Sequence, residues 1–457
     1  MFSKETYTAR RAKLKQTVGS GLLLFLGNDE SGMNYADNTY HFRQDSTFLY
    51  FFGLPYAGLN AVIDIDNNRE IIFGDELTID AIVWMGTQPT LQEKGESVGI
   101  PDIRPSKEIA AYLKNARQEK QTVHYLPTYR AEHQVKLLAW LDVYPGMEDP
   151  SVPFILGVVN QRNYKSEEEI EEIEKACVVT ADMHLTAMRT VRPGIRESEV
   201  AAAVAEVAFA CNYQLSFPII ATINGQTLHN HHHGNMIKSG DMLLLDAGAE
   251  TEMGYAGDMS STIPADSRFT TRQKEIYDIA VASHEAAVAA LRPGVLFEDV
   301  YDLSARVIME GLKSLGFVKG DPAEAVGAGA HALFLPCGLG HMMGLDVHDM
   351  ENLGEVYVGY DGRPKSTQFG RKSLRLGRKL EPGFVLTIEP GIYFIPELID
   401  LWRSRQKFTE FINYEKVSTY KDFSGIRNEE DYLITETGAR LLGKKIPLHA
   451  SEVEALR

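Results

Sequence analysis

The chain has 457 residues, is 44% hydrophobic and carries a formal net charge of −17 at pH 7. This length accommodates two or three ordinary domains, and the acidic excess argues against nucleic acid and anionic membranes as partners. Its three cysteines, Cys177, Cys211 and Cys337, are odd in number and widely spaced, which predicts no disulfide framework and favours a cytoplasmic location.

The first third of the chain combines an opening helix with short apolar runs. Residues 1–15 mix charged and small apolar residues without a continuous apolar core, which predicts an amphipathic helix and not a signal peptide. Four runs are too short to span a bilayer and are interpreted as β-rich segments: LLLFLG from Leu22, STFLYFFGL from Ser46, AVIDI from Ala61 and EIIFGDE from Glu70. The pattern predicts an N-terminal α/β domain over residues 1–160.

A second domain is predicted over residues 165–457. The acidic run after Ser166 is typical of a helix start, where carboxylates meet the positive end of the helix dipole. Further on, RPGIRESEV at Arg192 is echoed by RPGVLFEDV at Arg292, one hundred residues later. Each copy ends a helical pattern and leads into β-rich sequence. We therefore expect a duplicated α/β arrangement with a site between its halves.

The run MLLLDAGAETEMGYAGDMSSTIP, from Met242, predicts a β-hairpin with its turn at residues 251–254. In that register Asp246 and Asp258 lie nearly opposite each other, and cross-strand neighbours have Cβ atoms about 5 Å apart. Asp246 follows four apolar residues, where an uncompensated charge is costly. Taken alone, the pair also fits two aspartates that cap or turn strand ends.

Further polar side chains occur where apolar strands end. Glu389 ends the strand in FVLTIEPGIYF, and Arg427 and Glu429 share one face of the strand in GIRNEEDYLIT by its period of two. In CGLGHMMGLDVHD, His341 follows a glycine-rich turn and His348 lies seven residues further on. Four carboxylates and an imidazole in this pattern predict a metal site.

The charge of this set predicts two metal ions. Four carboxylates and a neutral imidazole carry −4, which two divalent cations cancel and one does not. Oxygen-rich ligands without a thiolate suit Mn²⁺, Co²⁺ or Zn²⁺. Two such ions about 3.5 Å apart can share a water, lower its pKa and polarise a carbonyl, so amide hydrolysis is the leading chemistry.

The order and motifs of these residues resemble the pita-bread metallopeptidases, the group of methionine aminopeptidase, aminopeptidase P and prolidase. The resemblance implies an α+β pita-bread catalytic domain, two metal ions with Mn²⁺ preferred, and a homodimer. It implies that Asp246 binds one metal and that His341 and Glu389 bind the other. Asp258 and Glu429 would bridge the two.

The resemblance also concerns the substrate. The segment FRQDSTFLYFFGL from Phe42 is similar to the N-terminal domain of aminopeptidase P and prolidase, which implies proline-containing di- or oligopeptides as substrates. In the same family, histidines at the positions of His229 and His348 face the substrate and stabilise the tetrahedral intermediate, and Glu389 accepts a proton from water. Without the resemblance, a solvated loop is the preferred interpretation for His229, which lies in QTLHNHHHGN. Two supporting polar groups are implied as well: Tyr393 and Arg427.

Two features favour prolidase, which cuts dipeptides, over the alternative of aminopeptidase P, which trims longer peptides. The stretch SLRLGRKLEPG resembles a prolidase motif whose arginine, here Arg375, grips the free carboxylate of the terminal proline. The long insert between Glu389 and Glu429 also resembles prolidase. Arg375 otherwise fits a solvated basic run at 371–379.

Three positions depart from the family pattern: Phe217, Ser260 and Cys337, which replace tyrosine, threonine and histidine. One extra residue also lies between Asp246 and Asp258. Non-catalytic pita-bread proteins that bind peptides are a remote alternative, and creatinase is another; both lack the full acid set. Another dinuclear-metal hydrolysis, such as dephosphorylation, ranks low because no glycine-rich phosphate loop accompanies the acids.

Overall fold

The N-terminal unit is built on a mixed five-stranded sheet. A computed structural model describes residues 1–457, and this unit comprises residues 1–162 together with 350–357. Its elements in chain order are α1 (Lys4–Val18), β1 (Leu22–Leu26), α2 (Ser46–Phe52), β2 (Asn60–Asp64), β3 (Arg69–Gly74), α3 (Ile79–Met85), α4 (Leu91–Ser97), β4 (Asp102–Pro105), a 3₁₀ turn (Ser106–Glu108), α5 (Ile109–Gln118), β5 (Val123–His124), α6 (Ala131–Leu141) and α7 (Val152–Arg162).

The strand order of this sheet is β4-β3-β2-β1-β5. The three central strands are antiparallel, and β4 and β5 lie parallel to their neighbours at the two edges. Every second residue of β1 and β3 points to the same face of the sheet: Leu22 and Leu24 on β1, and Ile71 and Phe73 on β3. Together with Val62 of β2 they form a buried cluster with Leu113 of α5 and Leu137 of α6. The predicted opening helix and the strands at Leu22, Ala61 and Glu70 are confirmed.

The prediction of a β-rich segment at Ser46 was wrong, because STFLYFF forms helix α2. Asp45 caps the helix by accepting the N–H of Phe48, and Gly53 ends it in the left-handed conformation at φ 62°. Phe48, Phe51 and Phe52 are fully buried. A short run that is apolar throughout shows no periodicity, so only its caps and its packing distinguish helix from strand.

The C-terminal unit comprises residues 163–349 and 358–457. Its elements begin with α8 (Glu167–Thr190), α9 (Glu197–Ala210), β6 (Gln214–Leu215), β7 (Ile220–Thr222), β8 (Met242–Ala247), β9 (Ala249–Glu250), β10 (Met259–Pro264), α10 (Thr271–Ala290), α11 (Phe297–Ser314) and α12 (Pro322–Ala328). After α13 (Glu355–Val358), of which only Val358 belongs to this unit, they continue with β11 (Val385–Ile388), β12 (Gly391–Tyr393), α14 (Pro396–Ser404), α15 (Tyr414–Ser418), β13 (Gly425–Arg427), β14 (Glu430–Ile434), β15 (Ala439–Leu441) and α16 (Ala450–Glu454). Short 3₁₀ turns of this unit cover Ala330–Leu333 and Arg371–Ser373, and a further turn, Glu351–Leu353, belongs to the N-terminal unit.

The repeated RPG sequence marks two copies of a helix, turn and helix. Gly194 lies between α8 and α9, and Gly294 lies between α10 and α11, with φ angles of 92° and 84° that glycine adopts without strain. The two turns are held in the same way. The N–H of Gly194 donates to the carbonyl of Ile237 at 2.9 Å, and the N–H of Gly294 donates to the carbonyl of Leu380 at 2.8 Å. The predicted repeat is confirmed.

Each copy leads into a strand whose end carries an acid. Asp246 follows Ile237 by nine residues, and Glu389 follows Leu380 by nine residues. The two carboxylates therefore occupy matching positions in the two halves of the C-terminal unit. The duplication thus places one acid from each half at the wall of the same cavity.

Strand pairing joins the two halves. Strand β8 lies between β7 and β10, and β14 lies between β11 and β15. A bridge between Ser260 and Glu429 connects these two sheets, and a bridge between Met342 and Leu386 adds the segment around residue 341. Every segment that carries a predicted metal ligand therefore belongs to one hydrogen-bonded series. None of the helices has the length and apolar character needed to cross a membrane.

Candidate metal centre

The two aspartates lie on the predicted hairpin in a slightly different register. Its turn extends over residues 251–255, where the N–H of Thr251 donates to the carbonyl of Tyr255 at 2.9 Å. Asp246 therefore pairs with Ser260, and Asp258 is its diagonal neighbour and not its direct partner. Two residues are one period of a strand, so both carboxylates still face the same side.

A cavity of about 220 Å³ in the C-terminal unit brings the predicted residues together. All five predicted metal ligands line it: Asp246, Asp258, His341, Glu389 and Glu429. Four of the predicted substrate residues line the same cavity: His229, His348, Arg375 and Arg427. Tyr393 is fully buried and contacts Arg427, with its hydroxyl 2.9 Å from the guanidinium. Phe217 and Cys337, two of the departures from the family pattern, also line the cavity.

His341 is oriented to offer Nε2 to the cavity. Its Nδ1 lies 3.1 Å from the carbonyl of Met342, which can only accept a hydrogen bond, so Nδ1 carries the proton and the lone pair of the neutral ring is on Nε2. That nitrogen lies 3.4 Å from Oδ2 of Asp258 and 3.7 Å from Oε1 of Glu389. Potential ligand atoms of Asp258, His341 and Glu429 lie within 4.8 Å of one another.

The carboxylates of this cluster are buried with too few partners. Burial, followed by the repulsion of Asp246, raises the pKa of Asp258 well above its usual range. Burial and the charge of Asp258 do the same to the pKa of Glu429, and burial raises the pKa of Glu389. Oδ1 of Asp258 and Oε1 of Glu429 are buried without a hydrogen-bond donor. Such orphaned oxygens beside an imidazole lone pair fit hard divalent cations, which would supply the missing positive charge.

Arg427 is a buried cation that contacts several members of this network directly. Its NH2 lies 2.6 Å from Oδ2 of Asp246, its Nε donates to Ser260 Oγ at 2.9 Å and its NH1 donates to Tyr393 at 2.9 Å. The hydroxyl of Ser260 in turn donates to Oε2 of Glu429 at 2.7 Å. Serine thus supports Glu429 at the position where the family commonly has threonine.

The predicted substrate histidines lie beside the ligands. The rings of His348 and His341 meet edge to face, with centroids 4.2 Å apart. Partial burial and the charge of Arg427 lower the pKa of His229, which favours the neutral form of its ring.

Sequence reasoning missed Asp431, a buried carboxylate that supports Asp258 through a hydrogen bond to its backbone. Its Oδ2 accepts the backbone N–H of Asp258 at 3.0 Å and the thiol of Cys177 at 3.1 Å. Burial raises the pKa of Asp431 to about 7. A signal was present, because Asp431 follows Glu429 by one strand period.

The N-terminal unit is α/β, and the C-terminal unit is a duplicated α+β fold that brings four acids and a histidine into one cavity. These features define a two-domain metallopeptidase of the pita-bread class. The model of Metallopeptidase family M24 matches residues 171–436, and that of the aminopeptidase P N-terminal domain matches residues 7–124. The chain belongs to metallopeptidase family M24 and carries this N-terminal domain. The predicted fold class and enzyme class are confirmed.

Similar proteins have two related activities. Human Xaa-Pro dipeptidase is 31% identical over 97% of this chain and 90% of its own length. Xaa-Pro aminopeptidase of Escherichia coli K12 is also 31% identical, over 99% of this chain and 98% of its own length. Among solved structures, Escherichia coli aminopeptidase P in complex with substrate superposes with a TM-score of 0.81 at 29% identity, covering 100% of this chain and 98% of that one. Aminopeptidase P II from Yersinia pestis gives 0.82 at 27% identity, covering 100% and 99%.

Proposed function

We propose that this metallopeptidase hydrolyses the Xaa-Pro imide bond of dipeptides as a prolidase. The observation that carries the proposal is the cavity itself, where the buried, unpartnered oxygens of Asp258 and Glu429 adjoin the imidazole of His341. Arg375 lines the same cavity and supplies the cation that a free carboxylate requires. We assign residues 1–160 to the N-terminal domain and residues 165–457 to the catalytic domain.

The proposed ligands are the five residues expected from the sequence. Asp246 would hold one ion, His341 and Glu389 the second, and Asp258 and Glu429 would bridge them. Oxygen-rich coordination with one imidazole favours Mn²⁺. Two ions bound there would lower the pKa of a shared water and polarise the scissile carbonyl.

The chain's own groups position the substrate and handle its protons. Burial raises the pKa of Glu389, which makes this carboxylate a better acceptor for the proton of the attacking water. His229 and His348 line the same cavity, where they can donate hydrogen bonds to the oxygen that becomes negative during attack. The placement of these three side chains in one cavity thus supports a general base and two stabilising imidazoles.

The choice between dipeptidase and aminopeptidase rests on Arg375, since relatives of both activities are equally similar to the chain. A guanidinium can bind the terminal carboxylate of a dipeptide through two parallel hydrogen bonds. A longer peptide places an amide there and gains nothing from the cation. Cleavage of longer Xaa-Pro peptides, as by aminopeptidase P, is the second candidate function.

The test compares Ala-Pro, Gly-Pro and Ala-Pro-Ala as substrates with manganese supplied. We expect Glu389→Ala to abolish turnover of all three and Arg375→Ala to impair the dipeptides selectively, by raising KM. Lys372→Ala is the matched control, because Lys372 belongs to the same basic run and is exposed. Preference for Ala-Pro-Ala with Arg375→Ala indifferent would assign the chain to the aminopeptidases. Absence of hydrolysis with and without metal would overturn the peptidase proposal.

We also propose a homodimer in the cytoplasm. Helix α3 buries none of its residues, and four large apolar side chains on or beside it are 70–84% exposed: Ile79, Val83, Trp84 and Met85. A cluster of this kind on a single chain is typical of an interaction surface. The three free cysteines, one of them exposed, favour a reducing compartment. Light scattering of the wild type and of Trp84→Ser tests the dimer, and a monomeric wild type would contradict it.

A further inference from the structure

Glu197 is a fully buried carboxylate that holds both ends of one loop. It is the first residue of α9, and its side chain is 0% exposed. Oε1 accepts the backbone N–H of Ile223 at 2.8 Å, and Oε2 accepts the backbone N–H of Asn235 at 3.0 Å. The amide of Asn235 adds bonds of 3.1 and 3.0 Å to the two oxygens. All of these donors belong to the two ends of the segment 223–235.

The segment between those ends is the histidine-rich loop, residues 223–235. Its central residue His229 lines the cavity of the metal centre. Several other bonds each hold a single end or point of the loop. Asn230 donates to Thr222 Oγ1 at 3.0 Å, and Nε2 of His233 lies 3.0 Å from the carbonyl of Ile219. Near the ends, Gly225 donates its N–H to Ser424 Oγ at 2.7 Å, the N–H of Ser198 donates to the carbonyl of His233 at 3.1 Å, and Arg196 donates to the carbonyl of Gly234 at 2.9 Å. Glu197 differs from these because one side chain joins the beginning of the loop to its end.

The internal repeat shows that the turn itself does not need this carboxylate. The equivalent of Glu197, one hundred residues later in the second RPG sequence, is Phe297. Both residues begin their helix, and both donate their N–H to a corresponding carbonyl: Glu197 to Asn235 at 3.1 Å and Phe297 to Arg378 at 3.0 Å. Helix, turn and strand contact therefore form equally well with an apolar residue at this position.

A buried carboxylate without a basic partner costs free energy unless hydrogen bonds compensate it. Here the compensation comes from backbone and amide N–H groups of the loop, and the helix start at α9 adds its positive dipole. The second repeat has Phe297 at this position and therefore avoids the free-energy cost of a buried carboxylate. We infer that the carboxylate of Glu197 serves a purpose specific to the first repeat, which is to fix the conformation of the loop.

We propose that Glu197 is a positioning residue that holds the histidine-rich loop so that His229 faces the substrate. The inference rests on the proposed function, in which His229 stabilises the reacting peptide. Glu197 touches neither substrate nor metal in this arrangement, and acts through His229.

A double-mutant cycle tests the proposal with Ala-Pro as substrate and manganese supplied. We expect Glu197→Gln, which replaces one acceptor oxygen by a donor facing other donors, to lower kcat/KM about tenfold in the wild-type background. In the His229→Ala background the same change should lower kcat/KM less than about twofold, since the residue it positions is already absent. Glu199→Gln is the matched control, because Glu199 is an exposed glutamate on the same helix that bonds only the helix start.

The possible results separate this proposal from the proposed function. If His229→Ala leaves kcat/KM unchanged, the role of His229 fails and the positioning role fails with it. If His229→Ala lowers kcat/KM but Glu197→Gln has an equal effect in both backgrounds, or none, only the positioning role is overturned. Metal content of the purified variants provides a second readout, which we expect to equal that of the wild type.

A folding defect is controlled by a second variant. Asn235→Ser removes only the side-chain donor and leaves the carboxylate with both backbone N–H groups. If Glu197→Gln does not accumulate in folded form, Asn235→Ser should give a smaller loss of kcat/KM that again disappears in the His229→Ala background. An effect of Asn235→Ser that persists there would overturn the proposal.

Discussion

The guanidinium of Arg427 lies 2.6 Å from Oδ2 of Asp246, and both side chains are buried in the wall of the candidate metal centre. Asp258 and Glu429 flank this pair without a cation of their own. Arg427 therefore provides a buried protein charge that directly opposes the repulsion among the acids. Its partners Ser260 and Tyr393 hold the guanidinium in a single orientation.

Replacing Arg427 should destabilise the metal-free protein more than the metal-loaded protein. Removing one partner of a buried ion pair typically costs about 3–5 kcal/mol, because the remaining charge is left uncompensated. Bound divalent ions would supply part of that charge, so the loss should be smaller with manganese than with a chelator. Chemical denaturation of Arg427→Met under both conditions measures the difference. Arg306→Ala, which breaks only an exposed pair with Glu310, should cost less than about 1 kcal/mol.

The stability of the metal-free protein should fall as the pH rises. Burial raises the pKa of Asp258 and Glu429 in the folded state and brings that of Asp431 to about 7. The folded protein then binds more protons than the unfolded chain, whose carboxylates titrate near pH 4, so stability decreases from about pH 4 to about pH 7. Melting temperatures measured across this range with a chelator test the slope.

Divalent ions should remove most of that slope, because they favour the ionised carboxylates. The variant Asp258→Asn with Glu429→Gln should flatten the slope without any metal. A slope of opposite sign in the chelated wild type, or one that the double variant leaves unchanged, would contradict the proposed origin of the pH dependence.

Ser260 should influence metal affinity through Glu429. Its hydroxyl donates to Oε2 of Glu429 and accepts from Arg427, so it orients a proposed ligand without binding metal itself. Loss of such an outer partner typically lowers metal affinity about 10–100-fold. We expect this loss for Ser260→Ala and near wild-type affinity for Ser260→Thr, both measured by calorimetric titration with manganese. Equal affinities for all three proteins would contradict the role of the hydroxyl.

The buried pair of Lys165 and Asp349 should stabilise the segment that carries His348. Nζ of Lys165 lies 2.9 Å from Oδ2 of Asp349, and the two side chains are 0% and 1% exposed. Lys165→Met should lower the free energy of unfolding by about 3–5 kcal/mol, because it removes one member of a buried ion pair. Lys274→Met, which breaks an exposed pair with Asp278, is the control and should change it by less than about 1 kcal/mol. Similar values for the two variants in denaturant titrations would contradict the prediction.

Much of the local structure follows from short-range signals. Ser166 and the acids after it predict the start of α8, and the structure shows a capping box there between Ser166 and Glu169. The two apolar segments on either side of the polar turn at residues 251–254 predict a hairpin, and β8 and β10 form one. Both features depend on hydrogen bonds between residues close in the chain, so the sequence carries their cause directly.

Other features depend on partners far away in the chain. The run at Ser46 contains no periodicity, and burial of three phenylalanines together with the cap at Asp45 makes it a helix. The exact hairpin register, in which Asp246 faces Ser260, required the turn geometry. In each case the deciding interaction is packing or a backbone conformation that residue types alone do not specify.

The sequence by itself determined three features: enough secondary-structure elements for two domains, a duplicated helix–turn–helix pattern, and acids and a histidine at strand ends. It could do so because residue type and periodicity encode local structure and ligand chemistry. Tertiary structure alone decided that Arg427 pairs with Asp246, that Asp431 supports Asp258, and that Glu197 joins the two ends of the histidine-rich loop. A buried carboxylate is stabilised by whichever donors the fold brings within 3 Å or so of it. Long-range packing decides which donors these are, so they cannot be identified from the sequence pattern around the carboxylate.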